Sequence, residues 1–192
     1  MARRGQRIVL IRHGETEWSA SGRHTSRTDV PLTDQGRRQA EALGACLKDW
    51  RFDVVLTSPL QRAVETCRVA GLGDVADVRR ELMEWDYGDY EGRTTPEIRT
   101  ERPGWTLWSD GVLGGESAEQ VGARADGILA EARGAEGDVA LFSHGHFLRV
   151  MAARWIGLPP QGGRSLALDT ATISVLGHER ETPVIVRWNQ PC

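Results

Sequence analysis

The sequence of 192 residues lacks three features that would each point to a particular class of protein. No apolar run comes near the ~20 residues of a membrane-spanning helix, so we expect no membrane partner. Basic residues are not in excess, since 24 Lys and Arg face 27 Asp and Glu, and a general nucleic-acid-binding protein normally has a basic balance. The basic start Met1–Arg7 is followed by an apolar run too short for a signal peptide.

Cysteine is also scarce. Cys46, Cys67 and Cys192 are odd in number and widely spaced, which predicts neither a disulfide framework nor a cysteine-based zinc site. Together with the absences above, this favours a reduced, cytoplasmic α/β protein. The length suggests one domain, 1–192, with a sizeable core.

The most informative stretch lies near the start of the chain. Four apolar residues over 8–11 predict a buried strand, and the strand ends abruptly in Arg12, His13 and Gly14. Open α/β sheets bind ligands at the carboxyl edge of their strands. Arg12 offers a planar fork suited to phosphate or carboxylate, and His13 offers a base or nucleophile that works near neutral pH.

Strand and helix patterns alternate along the chain. The patterns predict strands over 8–11, 52–56, 77–79, 138–142, 172–177 and 183–188, and helices over 35–48, 60–69, 95–101, 117–133 and 147–156. This alternation predicts a three-layer α/β/α sandwich with a mostly parallel central sheet. Residues 17–32 are expected to form a loop, and 82–116 a long excursion of the kind that often serves as a lid or binding loop.

Positively charged and imidazole side chains follow two of the predicted strands. Because parallel strands end at one edge of a sheet, His13 and His144 are expected to project into one crevice together with Arg12. Arg62 follows the second strand near a helix N-terminus, where anions are favoured. Singly, each residue is compatible with a structural role, as a hydrogen-bonded histidine or a solvated arginine. Together, the four predict a site for one dianion.

Six short motifs occur in order along the chain: LIRHGET (10–16), TDQG (33–36), TSPLQRAVET (57–66), EWDYGDYEG (84–92), GES (115–117) and SHGH (143–146). This ordered set resembles the histidine phosphatase superfamily, which includes cofactor-dependent phosphoglycerate mutases and many small phosphatases. A lone Arg-His-Gly would be weak evidence, whereas six motifs in order are specific. The resemblance implies a phosphoglycerate mutase-like fold.

The resemblance also implies a role for each residue of the site. His13 would attack phosphorus and become phosphohistidine, while Arg12, Arg62 and His144 would bind the phosphoryl oxygens. Glu84 would protonate the leaving oxygen and later activate water. Phosphoryl transfer needs in-line placement and neutralised oxygens, which two guanidiniums and an imidazolium can supply. We therefore expect neither a metal nor a cofactor.

The substrate class is less constrained by the sequence. Segments 84–92, 105–111 and 144–149 resemble the sugar-bisphosphate and acid phosphatases of the family, so a small phosphorylated metabolite is the expected partner, with a homodimer left open. Ser19 stands where many relatives carry Asn, and it could still donate to a phosphate oxygen. Trp105 and Trp108 could form a wall of the substrate pocket or the core of the excursion. The expected substrate-binding residues are Ser19, His24, Thr25, Tyr87, Gly145 and Arg149.

Alternative functions remain at this point. The excursion and the C-terminal tail look reduced relative to mutases, which favours hydrolysis over mutase-type phosphoryl transfer. A non-catalytic binding module on the same fold would not need the five residues His13, Arg12, Arg62, Glu84 and His144 together. A metal hydrolase using the histidines, His146 included, would need carboxylate ligands beside them.

Overall fold

A computed structural model describes residues 5–192 of the protein. The prediction about the basic start concerns in part residues 1–4, which lie outside the described residues. The strands are β1 (Ile8–Arg12), β2 (Phe52–Thr57), β3 (Ala76–Val78), β4 (Asp138–Ser143), β5 (Ile173–Glu179) and β6 (Thr182–Gln190). The helices are α1 (Glu17–Ala20), α2 (Asp34–Leu47), α3 (Gln61–Val69), α4 (Thr95–Glu101), α5 (Leu107–Asp110), α6 (Ala118–Gly134) and α7 (Gly145–Trp155).

The strands form one central sheet in the order β3-β2-β4-β1-β5-β6. The first four of these are mutually parallel, while β5 runs antiparallel to β1 and β6 antiparallel to β5. The predicted α/β fold with a mostly parallel sheet is confirmed. Because β1 and β4 are neighbours in the middle of the sheet, the residues that follow them meet at its carboxyl edge.

Helices cover both faces of the sheet, as the side-chain alternation of β1 illustrates. Ile8 and Leu10 belong to a core shared with α6 and α7, whereas Val9 and Ile11 belong to a second core shared with α2 and α3. Successive side chains of a strand point to opposite faces. An uninterrupted apolar strand therefore requires cover on both sides.

Two glycines allow the loop after β1 to lie against the start of α2. A Cβ atom on Gly14 would overlap the carbonyl oxygen of Gly36, and one on Gly36 would overlap the carbonyl oxygen of Glu15. Thr33 caps α2 by accepting a hydrogen bond from the Gly36 amide. The close approach fixes the backbone that immediately follows His13.

The excursion 82–116 is packed onto the first core. Its buried side chains include Trp85, Tyr90, Ile98 and Trp105, and the Trp105 indole donates to the carbonyl oxygen of Gly111. Burial of its large aromatic rings makes this segment part of that core. Whether it also acts as a lid stays a prediction.

Two expectations about local structure were wrong. Residues 17–32 were expected to form a loop, but they contain the short helix α1, which begins with a capping box between Thr16 and Ser19. This helix is too short to show a helical periodicity in the sequence. Cys46 and Cys192 form a disulfide with Cα atoms 6.0 Å apart, because β6 returns the C-terminus to the end of α2. Sequence spacing does not reveal this proximity.

In residues 5–192 no helix has the length and apolar character needed to cross a membrane.

Candidate active site

The ends of β1 and β4 bring two imidazoles together. Arg12 is in register with Ser143, and the His13 amide donates to the Ser143 carbonyl oxygen at 3.0 Å. His13 and His144 follow directly, and their ring centroids lie 5.2 Å apart. Both rings are buried. The predicted proximity of the two histidines follows from the pairing of these strands.

The tautomer of His13 is set by its neighbour. Its Nδ1 lies 2.7 Å from the carbonyl oxygen of Gly14, which can only accept, so Nδ1 carries the proton. Burial, followed by the charges of Arg62 and Arg12, holds the pKa of His13 well below its usual value. The ring is therefore neutral at pH 7, and Nε2 has a free lone pair. A nucleophilic imidazole requires this form.

Arg12 lies in the same region and has one unpaired donor. Its Nη1 donates to the Leu168 carbonyl oxygen at 2.5 Å, while its buried Nε has no hydrogen-bond partner among residues 5–192. Gly145 lies against the guanidinium, since a Cβ atom there would be 3.3 Å from Cζ and Nε of Arg12. A buried, charged donor without a partner is costly, and an anion would satisfy it.

Arg62 and His144 lie beneath the cavity and do not line it. Arg62 Nε donates to His144 Nδ1 at 3.2 Å, and its other nitrogens donate to the carbonyl oxygens of Thr25, Ser26 and Thr28. His144 Nε2 is 2.7 Å from the Ser58 hydroxyl. An Nδ1 that accepts from a guanidinium carries no proton, and burial holds the pKa of His144 well below its usual value. The expected imidazolium is therefore a neutral imidazole.

Glu84 is anchored at the N-terminus of α7. Its Oε1 accepts from the amides of Trp85 and Phe147 at 2.9 and 2.8 Å, and its Oε2 accepts from the amide of His146 at 3.0 Å. These contacts hold the carboxyl group at the start of the helix, where the helix dipole favours negative charge. Oε2 makes fewer hydrogen bonds than Oε1 and has the greater capacity for a further one.

Arg12, His13 and Glu84 line one cavity of about 250 Å³. Nine predicted site residues line it: Arg12, His13, Ser19, His24, Thr25, Glu84, Tyr87, Gly145 and Arg149. The other lining residues, which the sequence had not indicated as substrate-binding, are Gly22, Arg23, Thr95, His146 and Leu168. A space of this size suits a small metabolite.

Among the predicted substrate-binding residues, Ser19 and Thr25 are already engaged locally. The Ser19 hydroxyl donates to the Thr16 carbonyl oxygen at 3.0 Å, as part of the cap of α1. The Thr25 hydroxyl donates to the Arg23 carbonyl oxygen at 3.0 Å. To donate to a substrate, each hydroxyl would have to give up its hydrogen bond to the backbone carbonyl oxygen.

His146 is the residue whose place the sequence analysis missed. It is half-buried beside His24, with ring centroids 6.0 Å apart, and its Nδ1 lies 2.6 Å from the Tyr87 hydroxyl. The signal was its position two residues after His144 at the first turn of α7, where side chains point back towards the helix N-terminus. The sequence had indicated His146 only as a candidate metal ligand.

The two tryptophans of the excursion occupy different positions. Trp105 is buried and its ring is 5.7 Å from that of His24. Trp108 is partly buried against Trp85 and lies below the Arg149 guanidinium, 4.7 Å from its carbon. Both tryptophans are core residues of the excursion that support cavity-lining side chains. In the described part of the chain, no cluster of three or more His, Cys, Asp or Glu side chains is arranged to hold a metal ion.

The parallel strands β1 and β4 end in two histidines, with arginines and a glutamate at the same edge of the sheet, and this arrangement suits phosphoryl transfer. The sequence profile of the histidine phosphatase superfamily (branch 1) matches residues 8–191. The chain belongs to this superfamily, as the motif order predicted.

Comparison with known proteins supports the same conclusion. The chain is 46% identical to an acid phosphatase of Mycobacterium tuberculosis over 93% of its own length and 90% of the relative. It is 36% identical to sedoheptulose 1,7-bisphosphatase of Saccharomyces cerevisiae over 81% of its length and 69% of that protein. The prediction of a phosphatase is confirmed.

Solved structures agree with the fold. The product of an open reading frame of Mycobacterium tuberculosis matches with a TM-score of 0.93 and 44% identity, over 98% of this chain and 99% of that one. A mycobacterial glucosyl-3-phosphoglycerate phosphatase, solved with VO3, matches with a TM-score of 0.88 and 28% identity over 97% and 100% of the chains.

Proposed function

We propose that the protein hydrolyses a phosphate monoester of a small sugar phosphate or sugar bisphosphate, without a metal, through a phosphohistidine at His13. The observation that carries the proposal is the Nδ1–H bond of His13 to the Gly14 carbonyl oxygen, which leaves Nε2 as the free nucleophile. Arg12 lines the same cavity, and its guanidinium, whose buried Nε has no hydrogen-bond partner among residues 5–192, supplies a donor for a phosphoryl oxygen.

The first half-reaction forms a bond between His13 Nε2 and phosphorus and breaks the bond from phosphorus to the ester oxygen. Arg12 neutralises charge on the phosphoryl oxygens as they spread away from the axis of attack. Arg62 fixes the orientation of His144 by donating to its Nδ1, and it adds positive charge beneath the site. In the second half-reaction water attacks the phosphohistidine and releases phosphate.

Glu84 supplies the proton for the leaving oxygen in the first half-reaction and accepts one from water in the second. Oε2 is the atom we assign to this transfer, because it accepts a single backbone hydrogen bond whereas Oε1 accepts two. A carboxyl group already fixed by the protein needs no reorganisation at the moment of reaction.

Arg149 supports a substrate with a second anionic group. Its guanidinium donates to the carbonyl oxygens of Gly163 and Arg164 and packs on Trp108. It forms no ion pair with a carboxylate in residues 5–192, although it is partly buried at the cavity. A cavity-lining cation that forms no ion pair in residues 5–192 favours a bisphosphate or a phosphorylated acid as substrate, which agrees with the sugar bisphosphate named for the yeast relative.

The test is phosphate release in the presence of a chelator from a panel of sugar phosphates, sugar bisphosphates, phosphoglycerates and nucleotides. We expect activity in the wild type, loss of at least about 100-fold in His13→Ala, and an acid-labile phosphoenzyme in rapid quench. The control variant is His178→Ala, whose ring packs on Trp155 outside the cavity and which should retain activity.

Two results would contradict the proposal. Unchanged phosphate release by His13→Ala would exclude the phosphohistidine. Release only after priming with a bisphosphate, with phosphate transferred between substrates instead of to water, would identify a mutase.

Arg149→Gln should raise KM for bisphosphates more than for monophosphates. An equal change of KM for both would show that Arg149 does not bind a second anionic group. The cytoplasmic location and a homodimer stay predictions from the sequence.

A further inference from the structure

The segment that carries Glu84 is held by one arginine of α6. Arg124 Nη1 donates to the carbonyl oxygens of Glu81 and Met83 at 2.6 and 3.0 Å, and its Nη2 donates to that of Glu84 at 3.4 Å. Residues 83–87 lie outside any helix or strand, so their backbone oxygens depend on such contacts. A single guanidinium thus holds three carbonyls of one short segment.

Glu116 completes the arrangement from the end of the excursion. Its two carboxylate oxygens accept from Arg124 Nε and Nη2, each at 2.7 Å. It also accepts from the Asp86 amide at 3.0 Å, and its carbonyl oxygen accepts from the Trp85 indole at 2.9 Å. We call Arg124 and Glu116 the clamp. Only an arginine can offer this paired geometry to a carboxylate together with donors to three carbonyls.

The clamp also contacts the other segment that holds the Glu84 carboxyl group. The Arg124 guanidinium carbon lies 4.6 Å from the Phe147 ring centroid, and the Phe147 amide donates to Glu84 Oε1. The orientation of the carboxyl group depends on the amides of residues 85, 146 and 147, which come from two separate segments. Arg124 touches both segments and therefore fixes one relative to the other.

Neither clamp residue lines the cavity at His13. Both side chains are about four-fifths buried, and both border a second depression that also reaches Glu84. The clamp therefore has no direct access to the substrate. Its contacts are with the backbone that positions Glu84.

We propose that Arg124 and Glu116 are positioning residues that hold Glu84 Oε2 at the leaving oxygen. The inference rests on the proposed role of Glu84 as the proton donor. Because general acid catalysis matters most when the leaving group is a poor one, loss of the clamp should slow hydrolysis of alkyl and sugar phosphates. Aryl phosphates with an acidic phenol leaving group need little protonation.

The experiment compares kcat/KM for a sugar phosphate and for p-nitrophenyl phosphate in the wild type, Glu84→Gln, Arg124→Lys and Glu116→Gln. We expect about 10- to 100-fold losses on the sugar phosphate for the clamp variants and less than about 3-fold on p-nitrophenyl phosphate. A fall in the fraction of folded protein would lower both kcat/KM values equally. The ratio of kcat/KM for the sugar phosphate to kcat/KM for p-nitrophenyl phosphate therefore reports positioning alone.

The matched control is Arg154→Lys. Arg154 makes a comparable paired contact with Asp126 and donates to the Leu158 carbonyl oxygen, and it does not line the cavity. The ratio of its kcat/KM values for the two substrates should stay at the wild-type value.

The outcomes separate the two proposals. If Glu84→Gln shows the leaving-group dependence and the clamp variants do not, the positioning role is wrong and the function stands. If Glu84→Gln lowers kcat/KM equally for both substrates, the acid role of Glu84 is wrong, and the positioning role of the clamp is wrong as well.

Discussion

The Tyr87 hydroxyl lies 2.6 Å from Nδ1 of His146 at the wall of the cavity. Burial raises the pKa of Tyr87 well above its usual value, and burial together with the charge of Arg149 lowers the pKa of His146. Both groups are therefore uncharged at neutral pH. With the phenol donating to Nδ1, the imidazole carries its proton on Nε2 and can donate to an oxygen of the leaving group.

Removal of this hydroxyl should weaken substrate binding. In Tyr87→Phe the half-buried His146 loses its partner, and we expect KM for a sugar phosphate to rise about 10-fold, which corresponds to ~1.4 kcal/mol. Steady-state kinetics measures the change. Tyr90→Phe is the control, since Tyr90 is buried in the same excursion and its hydroxyl accepts from Arg102. An equal rise of KM in both variants would argue against a direct role.

A methyl group at residue 145 should disturb the phosphate site. In Gly145→Ala the new Cβ would lie 3.3 Å from Cζ and Nε of Arg12, so the guanidinium has to shift by a few tenths of an ångström. We expect kcat/KM to fall about 10-fold and inhibition by inorganic phosphate or vanadate to weaken by a similar factor.

Gly127→Ala is the control for that substitution. Gly127 is exposed in the interior of α6, with nothing within 4 Å of an added Cβ. It should keep full activity and gain ~0.5–1 kcal/mol in the free energy of unfolding. Wild-type phosphate affinity in Gly145→Ala would show that the close approach to Arg12 has no functional consequence.

The buried histidines should make the protein less stable in acid. Burial lowers the pKa of His24 to about 4, so between pH 6.5 and 4 the unfolded chain binds a proton that the folded protein does not. The free energy of unfolding then decreases as the pH falls through this window, by about 2 kcal/mol at pH 5 from His24 alone. His13, His144 and His146 act in the same direction, because burial also lowers the pKa of each.

Urea unfolding at pH 7 and pH 5 measures this effect. The difference between the two pH values should be smaller in His24→Asn than in the wild type by about 2 kcal/mol, since asparagine does not titrate. An identical pH dependence in the two proteins would mean that His24 is protonated in the folded state at pH 5.

Reduction of the disulfide should lower stability and leave activity intact. The bond between Cys46 and Cys192 closes a loop with a sequence separation of 146, and loss of such a constraint typically costs ~2–4 kcal/mol. Neither cysteine lines the cavity. We expect a lower melting temperature with reductant in the wild type, no effect of reductant on Cys192→Ser, and unchanged kcat in both. A melting temperature insensitive to reductant would contradict the prediction.

The α/β class and the places of His13 and His144 at one edge of the sheet could be predicted from the amino-acid sequence. Apolar runs and helical periodicity are local patterns, so the strands and helices could be predicted from them. The proximity of His13 and His144 then follows from the rule that parallel strands share a carboxyl edge. The helical pattern over 117–133 likewise predicted α6, which a capping box between Ser117 and Gln120 begins, a local signal because its partners are three residues apart.

Only the tertiary structure decided the contacts between distant segments. The bond of Arg62 to His144 joins residues 82 apart in sequence, and the bonds of Glu84 to the start of α7 join residues 62 and 63 apart. Neither these pairs nor the Cys46–Cys192 disulfide leaves a trace in local composition. Their geometry follows from the way the sheet and the packed excursion bring the segments together, so the contact of Arg62 with His144 and the clamp on Glu84 are seen only in the folded chain.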